Sequence, residues 1–336
     1  MTVAAHPDIV STYSRGAVPG ESDRQTAGVT VVMCTYRRPA SMASFLDSLA
    51  AQTRVPQSLV VVDASPDEDT ERMVRARPES ERLAGGVKYF RVTGSLRGLT
   101  RQRNFGVRWV TTDLVAFFDD DVILRPACLA EMEKTYRAGG GAVVGVGGYT
   151  EGSYQPPDRL WRARRLLGII GNLRPGSYQR SGMSVPMAFL PPTDDVVDVD
   201  WLPGCAMMWD TGVLRRVGFG EMFDGYAQGE DLDFSLRARR HGRIVIAGSA
   251  TFLHLFDEGG RPDHGKLGYM AIYNRYHIQR RGLDGRTWRD AAWFAYAWGL
   301  DSIMLLRNVA VPSRTRGTLL QLGGRIRATA DILRGR

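Results

Sequence analysis

Cysteine is scarce in this chain, and its placement argues against two common kinds of protein. The three cysteines, Cys34, Cys128 and Cys205, lie far apart and form no CxxC pair. This spacing argues against a disulfide framework and against a cysteine-based zinc site, and it fits a reducing compartment. The first 27 residues also lack the apolar core of a secretory signal. We therefore expect a mostly disordered lead-in over residues 1–27 and a protein that acts in the cytoplasm.

Two glycine-rich phosphate loops of nucleotide-binding proteins are also missing. No GxGxxG follows a predicted strand, and no GxxxxGK[ST] is present. Their absence weighs against a dinucleotide oxidoreductase and against a P-loop ATPase. Any phosphate must then be held by other means, of which a divalent metal is the obvious one.

Long hydrophobic runs are absent as well. The most apolar helix candidate covers residues 291–306 and contains Asp301. A helix of this length with a carboxylate inside is too short and too charged to span a bilayer comfortably. Three roles stay open for it: packing on the catalytic domain, lying in a membrane interface, or forming a dimer contact.

Positive charge is concentrated near the end of the chain. The formal net charge is +8, and residues 280–336 contain eleven Arg and four Asp but no Lys or Glu. Such a basic tail indicates an anionic neighbour, which would be a membrane surface, a nucleic acid or a polyanionic substrate.

Strand and helix patterns alternate through the first half of the chain. With 336 residues, 43% of them hydrophobic, the chain has ample material for a sizeable core in one large or two small domains. Short β-branched runs at 29–34, 59–62 and 87–92 are separated by segments with helical spacing of apolar residues. This order predicts an α/β fold with a mostly parallel sheet and right-handed crossovers.

An apolar run that ends in three carboxylates is the strongest single feature. Residues 114–118 are apolar and lead directly into Asp119, Asp120 and Asp121. The run reads as a strand buried on both faces, and ligands of open α/β sheets bind at the carboxyl ends of strands. Three adjacent carboxylates raise one another's pKa unless a cation neutralises them. The pattern favours a divalent metal site over a simple turn in which an Asp caps the next helix.

A second acidic group opens a later helix. Glu230 and Asp231 lie in the segment 229–233, directly before helical spacing begins. Acidic residues in a first turn are favoured by the helix dipole, so simple capping is the alternative to a catalytic role.

Five motifs in order resemble the family 2 glycosyltransferases, which have the nucleotide-diphospho-sugar transferase A-type (GT-A) fold. The motifs are CTYRR at 34–38, VVDAS at 61–65, RNFG at 103–106, FDDD at 118–121 and GEDLD at 229–233. The resemblance covers about residues 29–254. It departs from the family after Asp63, where Asn-Gly or Gly-Ser is common and Ala64-Ser65-Pro66 stands here.

The resemblance implies a role for each motif residue. Asp119 and Asp121 would form the DxD pair at a Mn²⁺ or Mg²⁺ ion, with His254 as a third metal ligand. Asp231 would be the catalytic base, and Glu230 would lie beside it in the same motif. The nucleotide-diphospho-sugar would be bound by Thr35, Tyr36, Arg38, Asp63, Arg103, Asn104, Asp119 and Asp120. The acceptor side would be lined by Trp201, Leu202, Gly204 and Met207.

The resemblance also implies a division of the chain. A catalytic domain would cover 28–257, with a nucleotide-sugar half at 28–125 and an acceptor half at 126–257, and a basic helical extension would cover 258–336. The segment 273–275 (Tyr-Asn-Arg) resembles the tail-side helix of bacterial transferases that act on cell-surface polysaccharide precursors. We expect a saccharide or lipid-linked acceptor, and peripheral contact of the extension with the cytoplasmic face of an anionic membrane; a homodimer is left open.

Two other classes of function compete with an inverting, metal-dependent glycosyltransferase. A nucleotidyl- or phospho-transferring enzyme could use the same acidic metal site, but it would need a phosphate-binding loop for which residues 35–38 are a poor substitute. A non-catalytic nucleic-acid-binding module would suit arginine-only basicity. However, the basic excess is confined to the tail and no recognised nucleic-acid motif occurs, so no nucleic-acid partner is expected.

Overall fold

Ten strands join in one mixed sheet in the computed structural model, which describes residues 6–15, 26–77, 83–223, 227–255 and 263–335. The strands are β1 (Ile9–Arg15), β2 (Thr26–Thr35), β3 (Ser58–Asp63), β4 (Val87–Val92), β5 (Thr112–Phe118), β6 (Val122–Leu124), β7 (Val143–Thr150), β8 (Val196–Val199), β9 (Ala206–Asp210) and β10 (Arg243–His254). The helices in the described residues are α1 (Pro39–Ala50), α2 (Asp69–Arg75), α3 (Leu99–Val107), α4 (Cys128–Ala138), α5 (Arg159–Leu166), α6 (Thr211–Val217), α7 (Glu230–Ala238), α8 (His264–Gly282), α9 (Trp288–Leu305) and α10 (Pro312–Leu333).

The order of strands in the sheet places the ends of several strands at one edge. The order is β1-β4-β3-β2-β5-β9-β7-β10-β6, and β8 pairs with β10. Strands β4, β3, β2 and β5 are parallel, while β9 runs antiparallel between β5 and β7. Strand β3 is buried along its whole length, which explains its unbroken apolar sequence. The predicted α/β fold with a mostly parallel core is confirmed, and Thr35, Asp63 and the acidic triplet follow neighbouring strands.

The predicted disordered lead-in is wrong for one segment. Residues Ile9–Arg15 form β1, an edge strand antiparallel to β4. Burial alternates along β1, as expected for a strand with only one face against the protein. Its sequence contains few apolar residues in a row, because the inner face of an edge strand needs only every second one. Within the expected lead-in, residues 1–5 and 16–25 lie outside the described residues.

Two compact units divide the chain in a way that the predicted domains do not. The first takes Met1–Tyr154 and Pro192–Asp257, and the second takes Gln155–Pro191 and Glu258–Arg336. The predicted acceptor half, 126–257, includes residues 155–191. In the structure Ile169, Ile170 and Met183 of this segment form a buried cluster with Ala297 of α9. The segment therefore belongs to the helical second unit because that is where its apolar side chains are buried.

Helices α8 and α10 of the second unit pack at short range through glycines. A Cβ atom added at Gly268 would come 2.0 Å from the backbone oxygen of Gln321, and one at Gly324 would come 2.0 Å from that of Gly265. Helix α9 begins at a capping box formed by Thr287 and Asp290. Among the described residues, no helix is both long and apolar enough to cross a membrane.

Candidate active site

The acidic triplet lies in the turn between β5 and β6 at the edge where the parallel strands end. Its three carboxylates have different surroundings: the Asp119 side chain is 38% exposed, whereas Asp120 and Asp121 are buried. The backbone N–H of Asp119 donates to the carbonyl oxygen of Cys205 at 3.0 Å. This bond ties the triplet to the loop that precedes β9.

Asp119, Asp121 and His254 form a candidate metal centre. One donor atom from each lies within 4.8 Å of the other two. His254 reaches the triplet because the end of β10 pairs antiparallel with β6, where His254 is opposite Val122. Its Nε2 atom lies 3.1 Å from Oδ1 of Asp121. Two carboxylates and one imidazole suit Mn²⁺ and also allow Mg²⁺, so the residues fit the metal that the motif implies.

The electrostatics of Asp119 also favour a cation at this place. Burial raises the pKa of Asp119; Arg103 and His254 lower it, while Asp121 and Asp231 raise it further. Negative charge is therefore concentrated beside the exposed carboxylate. A divalent ion at the donor set would relieve this repulsion.

Asp120 faces away from the donor set and holds the end of β2. Its Oδ2 accepts from the Thr35 hydroxyl at 2.7 Å, and its Oδ1 accepts from Nη1 of Arg38 at 3.0 Å. Burial raises the pKa of Asp120 to about 6, against the lowering effect of these two bonds. Arg38 also lies 3.6 Å from Oδ2 of Asp121. The predicted nucleotide residues Thr35 and Arg38 thus contact the acidic turn itself.

Asp63 is fully buried at the end of β3. Its Oδ1 accepts from the backbone N–H of Ser65 at 2.7 Å, and its Oδ2 accepts from the hydroxyl of Tyr89 at 2.5 Å. Burial raises the pKa of Asp63, and these partners oppose the rise. The Ser65 hydroxyl in turn accepts from the backbone N–H of Arg37, whose φ is +57°. Asp63 therefore shapes the turns after β2 and β3; direct contact with a nucleotide stays a prediction.

Arg103 is buried among groups of the candidate site, and its contact with a nucleotide stays a prediction. Its side chain is buried, and its guanidinium lies 5.5 Å and 5.2 Å from the ring centroids of Phe117 and Phe219. It donates to Glu230 Oε1 at 2.6 Å and to the Gly204 carbonyl at 3.0 Å. The helical spacing of α3 turns Arg103 to the same inner face as Thr100, which is also buried.

The same guanidinium reaches the acidic turn. Its Nη2 atom lies 3.6 Å from Oδ1 of Asp119. Arg103 therefore joins Asp119, Glu230 and the loop at Gly204 from beneath the site.

Glu230 and Asp231 open α7 after Gly229, whose φ is +87°. Glu230 is buried, and no hydrogen-bond partner for its Oε2 occurs among the described residues. Burial raises the pKa of Glu230, and the Arg103 guanidinium opposes the rise. Asp231 is half-buried; its Oδ2 accepts from the backbone N–H of Gly204 at 3.0 Å, and its Oδ1 accepts from that of Leu232 at 2.8 Å.

The loop at Gly204 lies close to these groups. A Cβ atom at Gly204 would lie 3.0 Å from Oε1 of Glu230 and 3.3 Å from both Nη2 of Arg103 and Cβ of Asp231. A larger residue at this position would therefore require the neighbouring side chains to shift by a few tenths of an ångström. Because Cys205 bonds Asp119 and Gly204 bonds Asp231, two adjacent loop residues connect the candidate metal centre to the predicted base.

The four predicted acceptor residues differ in burial. Leu202 and Met207 are fully buried, and Met207 lies in the central strand β9. Trp201 is half-buried, and Gly204 contacts Arg103 and Asp231. Contact of these residues with an acceptor stays a prediction.

Asn104 and Tyr36, both predicted to bind the nucleotide-sugar, have different surroundings. Both amide atoms of Asn104 bond the backbone of Phe219, with Nδ2 donating at 3.0 Å and Oδ1 accepting at 2.8 Å. Asn104 thus fixes the segment after α6. The hydroxyl of Tyr36, by contrast, is half-buried and accepts from Nη2 of Arg97 at 2.8 Å, and Arg97 and Arg37 both lie over its ring.

The sequence reasoning missed two positioning groups. Nε2 of Gln102 donates to the carbonyl oxygens of Thr35 at 3.3 Å and Val62 at 2.8 Å, so one buried amide joins the ends of β2 and β3. Tyr89 holds Asp63, as described above. The only signal for Gln102 in the sequence is a polar residue within a predicted helix. This signal is weak, because the sequence alone does not show which side of the helix is buried.

The fold and the site together are those of an α/β protein with an acidic ligand site at the ends of its parallel strands. Residues 30–184 match the family model described as glycosyl transferase family 2. A glucosyl-dolichyl phosphate glucuronosyltransferase from Haloferax volcanii is 30% identical over 122 residues, which cover 36% of this chain and 37% of that relative. The chain thus matches well under half of the length of this curated relative.

Solved structures are similar over almost the whole chain. The mannosyltransferase PcManGT from Pyrobaculum calidifontis, in complex with GDP-Man and Mn²⁺, has a TM-score of 0.55 at 17% identity, covering 94% of this chain and 90% of that one. S. aureus TarS 1–349 in complex with UDP-GlcNAc has a TM-score of 0.51 at 14% identity, covering 92% of each chain. At such identities the likeness concerns the fold.

Residues 30–184 therefore match a family 2 glycosyltransferase domain, and the fold of the chain is of the GT-A type. The resemblance that the motifs indicate is confirmed over this part of the chain.

Proposed function

We propose that the protein is a metal-dependent inverting glycosyltransferase that moves a sugar from a nucleotide-diphospho-sugar to an acceptor hydroxyl. The observation that carries this proposal is the convergence of Asp119, Asp121 and His254 beside the loop that also contacts Asp231. The family match supports sugar transfer, and the complexes named for PcManGT and TarS support a nucleotide-sugar donor.

In this mechanism Asp119, Asp121 and His254 would hold a divalent ion. The ion supplies Lewis-acid stabilisation of the diphosphate as it departs. Asp231 takes the proton of the acceptor hydroxyl while the acceptor oxygen bonds the anomeric carbon and the bond from that carbon to the phosphate oxygen breaks. Gly204 and Leu232 orient the Asp231 carboxylate through backbone N–H groups, which leaves other lone pairs for the proton. A single displacement inverts the anomeric configuration.

Arg103 acts as a positioning residue. It holds Glu230 and the Gly204 carbonyl, and these hold the loop against which Asp231 is placed. Thr35 and Arg38 fix Asp120, which keeps the turn rigid so that Asp119 and Asp121 present their oxygens together.

For the acceptor we propose a saccharide or lipid-linked precursor of a cell-surface polysaccharide or glycolipid. The resemblance of residues 273–275 supports this class, and the name of the Haloferax volcanii relative includes a dolichyl-phosphate-linked sugar. We also propose a peripheral position on the cytoplasmic face of the membrane. Association of two copies remains an open part of the proposal.

A ligand panel tests the reaction class. UDP- and GDP-sugars are added with Mn²⁺ or Mg²⁺, and thermal unfolding is followed, because a ligand that binds only the folded state raises its stability. We expect one donor to raise the melting temperature with metal and not in excess chelator, and the same donor to be consumed when acceptor is present. Full turnover in excess chelator would refute the metal role, and a response to free nucleoside triphosphates with no response to any nucleotide sugar would refute sugar transfer.

A further inference from the structure

The second unit has a charge opposite to that of the unit that carries the candidate active site. Its residues include twenty Lys and Arg against seven Asp and Glu, a net charge of +13. The first unit has 24 against 29, a net charge of −5. The segment 155–191 contributes six Arg and one Asp to this difference. The basic excess is therefore a property of the whole second unit and not of the chain end alone.

Helix α9 has one outer face without charged residues. The exposed residues of this face are Trp288, Ala292, Tyr296, Gly299 and Ile303, with 76% exposure at Trp288 and 62% at Ile303. At 3.6 residues per turn these positions lie within an arc of about 100° and extend over about 22 Å. Arg289 is exposed at one margin of this arc, and Leu306 and Arg307 are exposed in the 3₁₀ turn that follows α9.

Both acidic residues of α9 point into the unit, where arginines neutralise them. Asp290 pairs with Arg180 at 2.6 Å, and Asp301 pairs with Arg164 at 2.5 Å and with Arg325 at 3.1 Å. The outer face of α9 therefore presents apolar side chains without negative charge. This arrangement is the opposite of an ordinary solvated helix, whose charged residues lie outside.

The end of α5 extends the same apolar surface. Leu166 is 89% exposed, and Leu167 beside it is also exposed. The Tyr296 hydroxyl donates to the carbonyl oxygen of Leu167 at 2.7 Å, and Nε1 of Trp293 donates to that of Gly168 at 2.8 Å. These bonds hold the two leucines beside the outer face of α9.

Basic side chains accompany this surface. On α5, Arg159, Arg162 and Arg165 are exposed at intervals of three residues, while Arg164 is turned inward to Asp301. Exposed apolar side chains accompanied by arginines are complementary to a bilayer with anionic headgroups. The apolar side chains can insert at the acyl boundary, and the arginines can contact the lipid phosphates. A nucleic acid would satisfy the arginines but would leave the exposed Leu and Ile side chains without a partner.

We infer that the outer face of α9 and the Leu166-Leu167 tip of α5 dock on an anionic lipid bilayer. The sequence-based expectation concerns the basic extension 258–336 as a whole, and the inference narrows it to one face of α9 and adds the tip of α5. The inference specifies the membrane contact of the proposed function. It is tested without donor or acceptor, so it can fail while sugar transfer stands, and the reverse is also true.

Vesicle sedimentation of the full chain tests the inference. Vesicles of phosphatidylcholine with one quarter phosphatidylglycerol are compared with pure phosphatidylcholine at low and high salt. We expect binding to the anionic vesicles that fades with salt, because phosphate contacts are screened. We expect Leu166→Glu combined with Ile303→Glu to weaken this binding at least tenfold. Arg159→Gln, Arg162→Gln and Arg165→Gln together should also weaken it at least tenfold, since each basic residue near an anionic surface contributes about fivefold.

Matched controls lie on the first unit. Val196→Glu replaces an exposed apolar residue and Arg72→Gln an exposed arginine, and both should leave vesicle binding within twofold of the original chain. Unaltered circular dichroism of every variant confirms folding at these exposed positions. Absence of binding by the intact chain, or equal binding by the Leu166→Glu/Ile303→Glu variant, overturns the inference. A dimer in light scattering that this variant converts to monomer also overturns it, because the face would then be a contact between two copies.

Discussion

The candidate active site in the first unit has five carboxylates and, among the described residues, two arginines beside them, Arg38 and Arg103. The two buried aspartates of the second unit, Asp290 and Asp301, have three arginines beside them. Burying a carboxylate is costly unless a cation or several donors compensate it. The second unit meets this condition with its own side chains at Asp290 and Asp301. In the candidate active site, Arg38 and Arg103 are each shared by two carboxylates, and His254 lies beside Asp121.

This contrast separates structural from functional carboxylates. A buried aspartate with its arginine already in place holds two elements together and requires nothing further from outside. A group of carboxylates in which each arginine is shared favours a further cation at the site, as the proposed metal-dependent mechanism requires. The predictions below test this difference between the carboxylates of the two units.

The largest effect is expected at Asp121. Asp121→Asn removes one ligand charge from the candidate metal centre, and a metal ion supplies several kcal/mol of transition-state stabilisation, so turnover should fall by about 10³-fold or more. Donor binding measured by thermal shift should also lose its response to Mn²⁺. Asp198→Asn is the control, because Asp198 is exposed and pairs with Arg243 at the surface, so this variant is expected to keep full turnover. A variant at Asp121 with near-normal turnover would remove the metal from the mechanism.

Asp231 should give the next largest effect. Loss of a general base typically costs about 10²–10⁴-fold in rate, so Asp231→Asn should lower kcat by this factor while the protein stays folded and binds donor. Simple helix capping predicts a nearly fully active variant instead, since Asn also caps helices. Glu230→Gln should be milder in kcat. The anomeric proton coupling constant of the product, measured by NMR, should show inversion, and retention would exclude single displacement.

The sequence predicts the acidic turn well because its signal is local. An apolar run followed by three aspartates places a buried strand and its polar end within eight residues, and no tertiary information is needed. The role of His254 as a metal ligand, by contrast, is implied by the family resemblance alone. The pairing of β10 with β6, which brings His254 to Asp121, is a long-range fact that only the family resemblance suggests.

Other features depend on tertiary contacts that local sequence does not encode. Arg103 is expected from the resemblance to contact the nucleotide, and its burial between two phenylalanine rings and Glu230 is not visible in the local sequence. A helical extension is expected over 258–336, but the close contact of Gly324 in α10 with α8 is a tertiary feature. The segment 155–191 shows its membership of the second unit only when α9 is in place.

The third prediction concerns the stability of the active-site network. Arg103→Met leaves Glu230 buried without its cation, and breaking a buried ion pair in this way costs about 3–5 kcal/mol. Unfolding in urea at pH 7 should show this loss as a lower midpoint. The double variant Arg103→Met/Glu230→Gln should recover part of the lost stability, because it no longer carries the buried negative charge of Glu230. Equal stability of the single and double variants would show that Arg103 acts through packing alone.

The smallest effect is expected at the structural carboxylate Asp290. Hydrogen bonds from Arg180, together with those from Thr287, hold the pKa of Asp290 well below its usual range, against the opposing effect of burial. Because the folded pKa lies below the unfolded one, the ionised group contributes stability above about pH 4, and this contribution is lost as the pH falls further. Asp290→Asn should therefore reduce the free energy of unfolding by about 1–2 kcal/mol at pH 7, the usual cost of a lost helix cap with an added charge partner.

Urea unfolding at pH 7, 5 and 3 checks both the size and the sign. The difference between the original chain and Asp290→Asn should be constant from pH 7 to pH 5 and should shrink at pH 3, where the unfolded chain is already protonated at this residue. Asp198→Asn in the first unit removes a surface pair and should change stability by less than about 1 kcal/mol. Vesicle binding should be unaltered by Asp290→Asn as long as α9 stays folded, since Asp290 lies on the inner face of that helix. A difference that grows as the pH falls would contradict the ionised pairing of Asp290 with Arg180, and with it the contrast between the carboxylates of the two units.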